Sequence, residues 1–197
     1  TGGHAVFDRG ANAAVVDRGP ALTNRDSRGG VLVAESLVMH LYRAEDRVVM
    51  VDSVRIRQAM GIATADTAVA YGRERLVLTG SPQVKLNRGS VLSGERIEFE
   101  YVGNQLRRVL LLGDARTADD APDSLALLYP GLPREDILEG GIIVIDFEDE
   151  EIRRTMVTGS ARSVYTPLDV KDEVATNDVK GDTIFVHFRD RQVRRVR

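Results

Sequence analysis

The chain has 197 residues, 43% of them hydrophobic and 29% charged, with a net charge of −3. That is enough for one sizeable β domain or two small ones, and the acidic balance argues against a general nucleic-acid binder. The lack of cysteine excludes disulfides and thiolate metal sites but leaves an extracytoplasmic address open, and no 18-residue apolar run is present to span a bilayer as a helix.

Residues 1–30 are rich in Gly, Asp and Arg. Even so, the run from His4 to Thr23 parallels the run from Thr67 to Leu86, with Phe7 meeting Tyr71 and Gly19-Pro20 meeting Ser81-Pro82. Residues 31–58 suit either an amphipathic helix or a hairpin. We read a hairpin, because Leu37-x-Met39-x-Leu41 lies one larger repeat before Ile97-x-Phe99-x-Tyr101. Two larger units then cover residues 1–59 and 60–118, each a pair of hairpins.

The clearest repeat runs from Gly94 to Ala115 and returns without a gap at Gly140 to Ala161; a third copy begins at Gly181. In the first copy Ile97, Phe99 and Tyr101 alternate with Arg96, Glu98 and Glu100. Period two predicts a strand with one buried and one wet face. A turn follows, then a strand through Arg107-Arg108 to a Gly-x-Ala exit, so the unit is a β-hairpin. Self-similarity of this kind points to a stacked repeat architecture.

Residues 117–137 break the pattern. Pro122, Pro130, Pro133 and Gly131 predict a loop, and Asp123-Ser124 suits the cap of one helical turn over Leu125–Tyr129. Residues 163–180 read as a shorter link holding one strand. The expected organisation is a β-repeat unit over 1–118, a loop or short-helix insertion over 119–137, and continuing hairpins over 138–197. With no initiator Met and a third hairpin shorter than the others, the chain reads as cut from a longer protein.

Ala63–Tyr71, then Leu78-x-Gly80-x-Pro82-x-Val84, then Gly94-Glu95-x-Ile97-x-Phe99 make up a pattern that resembles the OstA/LptA-like periplasmic domain of lipopolysaccharide export. The match is clearest over about residues 60–116 and looser over 138–197. The resemblance implies an all-β, taco-like β-jellyroll whose apolar interior accepts acyl chains and whose units stack end to end by strand pairing. It implies a periplasmic, outer-membrane-associated address, with any signal peptide outside this sequence. The implied partners are lipopolysaccharide or another lipid, and other transport components or further copies of the chain paired head to tail. It implies neither catalysis nor a cofactor.

The residues support a cleft on their own terms, since hairpins with one apolar face must bury it against one another. Groove candidates are the in-register apolar positions Leu37, Met39, Leu41, Ile97, Phe99, Tyr101, Ile143, Ile145, Phe147, Ile184, Val186 and Phe188. Plain core is the competing reading for each of them. The Arg pairs Arg107-Arg108 and Arg153-Arg154, echoed at Arg194-Arg195, suit lipid phosphates at a groove rim. Cross-strand pairing with Glu98, Glu100 and nearby acids is the favoured reading for them.

Other chemistry finds little footing. His4, His40 and His187 lack metal-ligand spacing; Asp119, Asp120 and Asp123 lack the Gly and bidentate Glu of a calcium loop; and no Gly-x-Ser-x-Gly or phosphate loop occurs. Two alternatives stay open: a structural or adhesion β repeat with a closed dry core, and a carbohydrate-active β-solenoid. The solenoid requires near-constant spacing of 20–25 residues between coils, against the 46- and 41-residue offsets of these repeats.

Overall fold

The computed structural model describes residues 1–25, 30–87, 89–120, 135–149, 151–166, 176–189 and 192–196, with side-chain surroundings given outside 120 and 189–196. The chain is all-β and antiparallel, as the alternation predicts. In chain order the strands are β1 His4–Asp8, β2 Ala13–Asp17, β3 Ala21–Arg25, β4 Val31–Glu35, β5 Val38–Tyr42, β6 Arg47–Gln58, β7 Gly61–Tyr71 and β8 Arg75–Thr79. They continue as β9 Gln83–Leu86, β10 Val91–Ser93, β11 Arg96–Val102, β12 Gln105–Asp120, β13 Glu135–Glu148, β14 Glu151–Tyr165, β15 Asn177–Arg189 and β16 Gln192–Val196. A 3₁₀ turn, Arg43–Glu45, joins β5 to β6.

All sixteen strands belong to one sheet, and that sheet is folded. The long strands pair with different neighbours along their length. Residues 47–51 of β6 pair with β5, whereas 55–57 pair with β4. Residues 67–71 of β7 pair with β8, and 61–64 with β9. Likewise β12 pairs first with β11 and then with β10. The sheet therefore has a front arm (β1, β2, β5, β8, β11, β16 and the matching parts of the long strands) and a back arm (β3, β4, β9, β10 and the remaining parts).

The line between the arms is written in the backbone. At five places along it two successive residues take positive φ: Arg18-Gly19, Asp52-Ser53, Gly80-Ser81, Gly113-Asp114 and Gly159-Ser160. The neighbouring strand supplies fewer residues across the same gap: Asp66 alone lies between the partners of Val51 and Val54, and Gly141 alone between those of Leu112 and Ala115. Two residues against one is a bulge, which bends a strand and raises its twist. Repeated on alternate strands, the bulges form a crease. Gly113 shows why glycine is used there: its φ is +68°, and an added Cβ would run into the carboxylate of Glu95.

Folding brings the two inner faces together in one core. Leu78, Ile97, Leu111 and Ile143 of the front arm have no exposed surface. They share a cluster with Val54, Ile56, Val84 and Leu92 of the back arm. Each such side chain contributes roughly 1.5–3 kcal/mol of hydrophobic stabilisation.

The three sequence repeats are the hairpins β11–β12, β13–β14 and β15–β16. In the first, Gly103 and Asn104 both have positive φ, the two-residue hairpin geometry whose twist matches the flanking strands. Residues 31–58 form strands rather than a helix. Pairing also reaches into the expected insertion: Thr117 faces Leu138 and Asp119 faces Asp136, so 117–120 and 135–137 are strand. The alternation of Ala115, Thr117 and Asp119 carries the strand through despite its polar composition. The helical turn expected at Leu125–Tyr129 lies outside the described residues. In the stretch read as a link, 163–165 and 177–180 complete β14 and β15.

Candidate functional site

Burial on the inner face fades with distance from the crease. Along β11 it runs from Ile97, 0% exposed, through Phe99 at 7%, to half-buried Tyr101. Ile143, Ile145 and Phe147 on β13, and Ile184, Val186 and Phe188 on β15, repeat the gradient. Leu41 lies one step beyond buried Met39 in the same way. From the back arm, Leu32, Leu86 and Leu138 are also half-buried and packed against the core. The side opposite the crease is thus a margin lined by large apolar side chains from both arms.

Eleven of the twelve sequence-predicted groove positions lie on this inner face or its margin. Leu37 does not. It precedes β5 and is 53% exposed, with its amide donating to the carbonyl of Asp52 at 3.0 Å. The crease interrupts the period of two there, so counting back from Met39 puts Leu37 on the wrong side of a bend.

The Arg pairs have a structural explanation. Glu100 faces Arg108 while Tyr101 faces Leu106, which makes Arg107 the extra residue of a bulge. Arg153 occupies the same place between the partners of Asp146 and Phe147, and Arg194 between those of His187 and Phe188. Arg108 and Arg154 are set in a cross-strand row on the outer face, away from the core. Arg108 lies 2.9 Å from Asp146 and 3.8 Å from Glu100; Arg154 lies 2.7 Å from Asp146; Arg153 lies 2.9 Å from Glu148. Burial pushes the Asp146 carboxyl up, but the hydrogen bonds from Arg154 and Arg108 outweigh it and hold the group below the usual carboxylate range. Of the guanidinium groups expected at a phosphate rim, those of Arg108, Arg153 and Arg154 already have carboxylate partners.

The same row continues toward the N-terminus with aromatic partners. Arg47 stacks over Tyr42 at 4.2 Å and Arg75 over Tyr71 at 4.4 Å, each contact worth roughly 0.5–1 kcal/mol at an exposed site. On the back arm, Arg162 bridges Glu139 at 3.2 Å and Asp178 at 3.0 Å.

Two features were not predicted. The first is a polar wall inside the C-terminal part of the back arm. Thr117 and Ser163 are buried, and each faces Leu138 or its neighbours in register. Beyond them Asp136 accepts a hydrogen bond from the Thr166 amide at 3.0 Å. Burial raises the Asp136 carboxyl above its ordinary value, with the Asp119 charge adding to the rise and the Thr166 bond opposing it. The second is the desolvation of the Tyr101 phenol at the end of the inner row of β11. Burial pushes the Tyr101 phenol up to about 12, against a smaller lowering by Gln58.

Among the described residues no group of three His, Cys, Asp or Glu side chains is arranged to hold a metal, and no helix is long and apolar enough to cross a membrane. His4 sits 3.4 Å from Asp17 on exposed surface, and His187 faces Arg154 in the outer row. Two surface hollows lie elsewhere. One of about 410 Å³ is on the crease at Gly80–Gln83, Ser93–Glu95 and Asp114; the other, about 180 Å³, is beside β1 and β2.

No protein-family model matches the chain, and no curated protein matches it in sequence. A solved structure that it resembles is LptH from Pseudomonas aeruginosa, described as the LptA-homologous periplasmic component of the conserved lipopolysaccharide transport device. The two are 18% identical, with a TM-score of 0.45, and the alignment covers 81% of this chain and 94% of that one.

Proposed function

We propose that this chain is a non-catalytic lipid-binding and bridging domain, carrying lipopolysaccharide or a similar lipid toward the outer membrane with acyl chains held between the arms. The observation that carries the reading is the burial gradient from Ile97 to Tyr101, repeated on β13 and β15. It leaves a continuous apolar margin across successive hairpins, where a plain sandwich would finish with polar residues. Each methylene buried there contributes roughly 0.8 kcal/mol, so a tail can be held without specific polar contacts. The sequence resemblance over residues 60–116 points the same way.

The sheet ends also suit the reading. Strand β1 pairs only with β2 among the described residues, and Val6 and Phe7 on it are 55% and 57% exposed. An open edge of this kind favours pairing with another chain. We assign it to head-to-tail contact with a further copy or another transport component in the periplasm, which would extend the cleft.

The test is photo-crosslinking in Gram-negative cells that make lipopolysaccharide. A photo-reactive residue replaces Phe147 at the margin, with Ile142, 38% exposed on the outer face of the same strand, as control. The expected result is a lipopolysaccharide adduct at 147 and none at 142. An exported, folded protein with no adduct at 147 overturns the reading.

A second reading is a structural β repeat with a dry core. It is favoured by the complete burial of Leu78, Ile97, Leu111 and Ile143. It expects no lipid on the purified protein and unchanged melting when lipid is added.

A further inference from the structure

We infer that three unpaired hydroxyls inside the C-terminal half of the fold, those of Thr117, Thr155 and Ser163, form a polar strip that receives a hydroxyl carried on an aliphatic chain. The inference rests on the lipid-binding reading and specifies which chains this half of the molecule prefers.

Strand pairing puts the three in one layer of the interior. Strand β14 crosses the crease at Gly159-Ser160, with Thr155 on the front arm before it and Ser163 on the back arm after it. Thr155 stands between the core residues Ile145 and Val186 in register, which sets it on the inner face of the front arm. Ser163 stands opposite Leu138, which packs against the core, and Thr117 lies between Leu92 and Leu138 in the same back row. Toward the crease, Val157 and Ala161 are fully buried and close the arms beneath the strip. One step of two residues further out, about 7 Å along the strands, half-buried Phe147 and Asp136 line the margin.

Thr155, Ser163 and Thr117 are 2%, 4% and 8% exposed, and none of their hydroxyls has a hydrogen-bond partner among the described residues. Buried polar groups in folded proteins are paired as a rule, and an unmatched one carries a desolvation cost that Val or Ala in its place would avoid. The N-terminal half takes that cheaper course: Val48 and Ile56 fill the same layer on β6, either side of its bulge at Asp52-Ser53. The unpaired side-chain atoms sealed from solvent among the described residues belong to Asp17, Arg47 and Arg96, so the three hydroxyl oxygens still border open space between the arms. Depth selects the chemistry of the missing partner. With a head group at the margin, the oxygen that reaches this layer is one on the chain itself, a few carbons in. A chain hydroxyl both donates and accepts, as Ser and Thr do, so it matches whichever role each side chain takes.

The test compares methyl decanoate with methyl β-hydroxydecanoate as competitors of a neutral fluorescent probe, N-phenylnaphthylamine, bound to the full chain. Neutral esters are used because Asp119 and Asp136 face each other at the margin and disfavour a free carboxylate. Hydrophobic burial alone favours the plain ester, since the hydroxyl makes the other the better solute in water. The expected result is that the hydroxylated ester competes at least as well as the plain one. The double variant Thr155→Val/Ser163→Ala should weaken the hydroxylated ester about two- to tenfold, as loss of one hydrogen bond does, and leave the plain ester within about twofold. A parent chain that favours the plain ester, or a double variant that leaves the ratio of the two affinities unchanged, overturns the hydroxyl strip while leaving the lipid reading standing. Failure of the parent chain to bind the probe or either ester overturns both.

Discussion

The N-terminal and C-terminal parts of the core between the arms have similar front walls and different back walls. In front, Met39, Met50 and Leu78 give way to Ile143, Val157 and Ile184, aliphatic throughout. Behind, Val54, Ile56, Val84 and Leu92, interleaved with Ala34, Ala63 and Ala65, give way to Ala115, Thr117, Ala161 and Ser163. The same crease and pairing rules thus build an apolar back wall at one end and a hydroxyl-bearing one at the other. Sheet geometry does not dictate which side chains fill the gap between the arms; the back wall is free to vary.

The largest effect expected from breaking this comparison is on the shared front wall. Ile97→Ala and Ile143→Ala should each cost about 2–5 kcal/mol, read from denaturant midpoints at constant slope. Comparable losses show that both ends belong to one cooperative core. A loss confined to one variant separates them.

Next comes the back wall itself. Val84→Thr buries a hydroxyl in the aliphatic end and should cost about 1–3 kcal/mol. Thr117→Val at the other end replaces a hydroxyl of modest net worth with a methyl and should lie within about 1 kcal/mol of the parent in the same melts. An equal penalty at both positions would erase the difference between the two ends.

Base titration gives a third test. The Tyr101 phenol titrates near 12 in the folded chain against an ordinary value of 10. Its stabilising contribution is therefore present below pH 10 and is lost as pH rises from 10 toward 12, where the unfolded chain ionises first. Tyr101→Phe should flatten that part of the stability curve.

A smaller effect belongs to the crease. Gly113→Ala places a Cβ at φ +68° and should destabilise by more than about 1 kcal/mol, whereas Asp114→Gly, at φ +44°, should be neutral or stabilising by up to about 1 kcal/mol. Smallest is the outer row: Asp146→Asn removes one charge shared by Arg108 and Arg154 and should cost about 1 kcal/mol or less, diminishing in high salt.

Much of this architecture was legible in the residues alone. The alternation at Ile97, Phe99 and Tyr101 and its repeats marked the hairpins and which side chains face inward. The crease was not, because its signature is conformational: Gly113-Asp114 and Gly159-Ser160 look like a repeat exit, while Asp52-Ser53 makes the same bend with no glycine at all. That blind spot explains Leu37, where a local register change defeats counting by twos. The Arg pairs were visible as a motif, yet their meaning, one bulged residue and one rung of an outer row, depends on strand pairing.

The crease has a mechanical consequence. Twelve strands lie side by side along the main path of the sheet, about 50 Å at the usual spacing between strands. A flat sheet of that span twists and flexes as a ribbon. A sheet folded along its length behaves like creased card, stiff against bending along the fold and compliant across it. A molecule built this way can serve as a rigid strut end to end while its two flanges open and close.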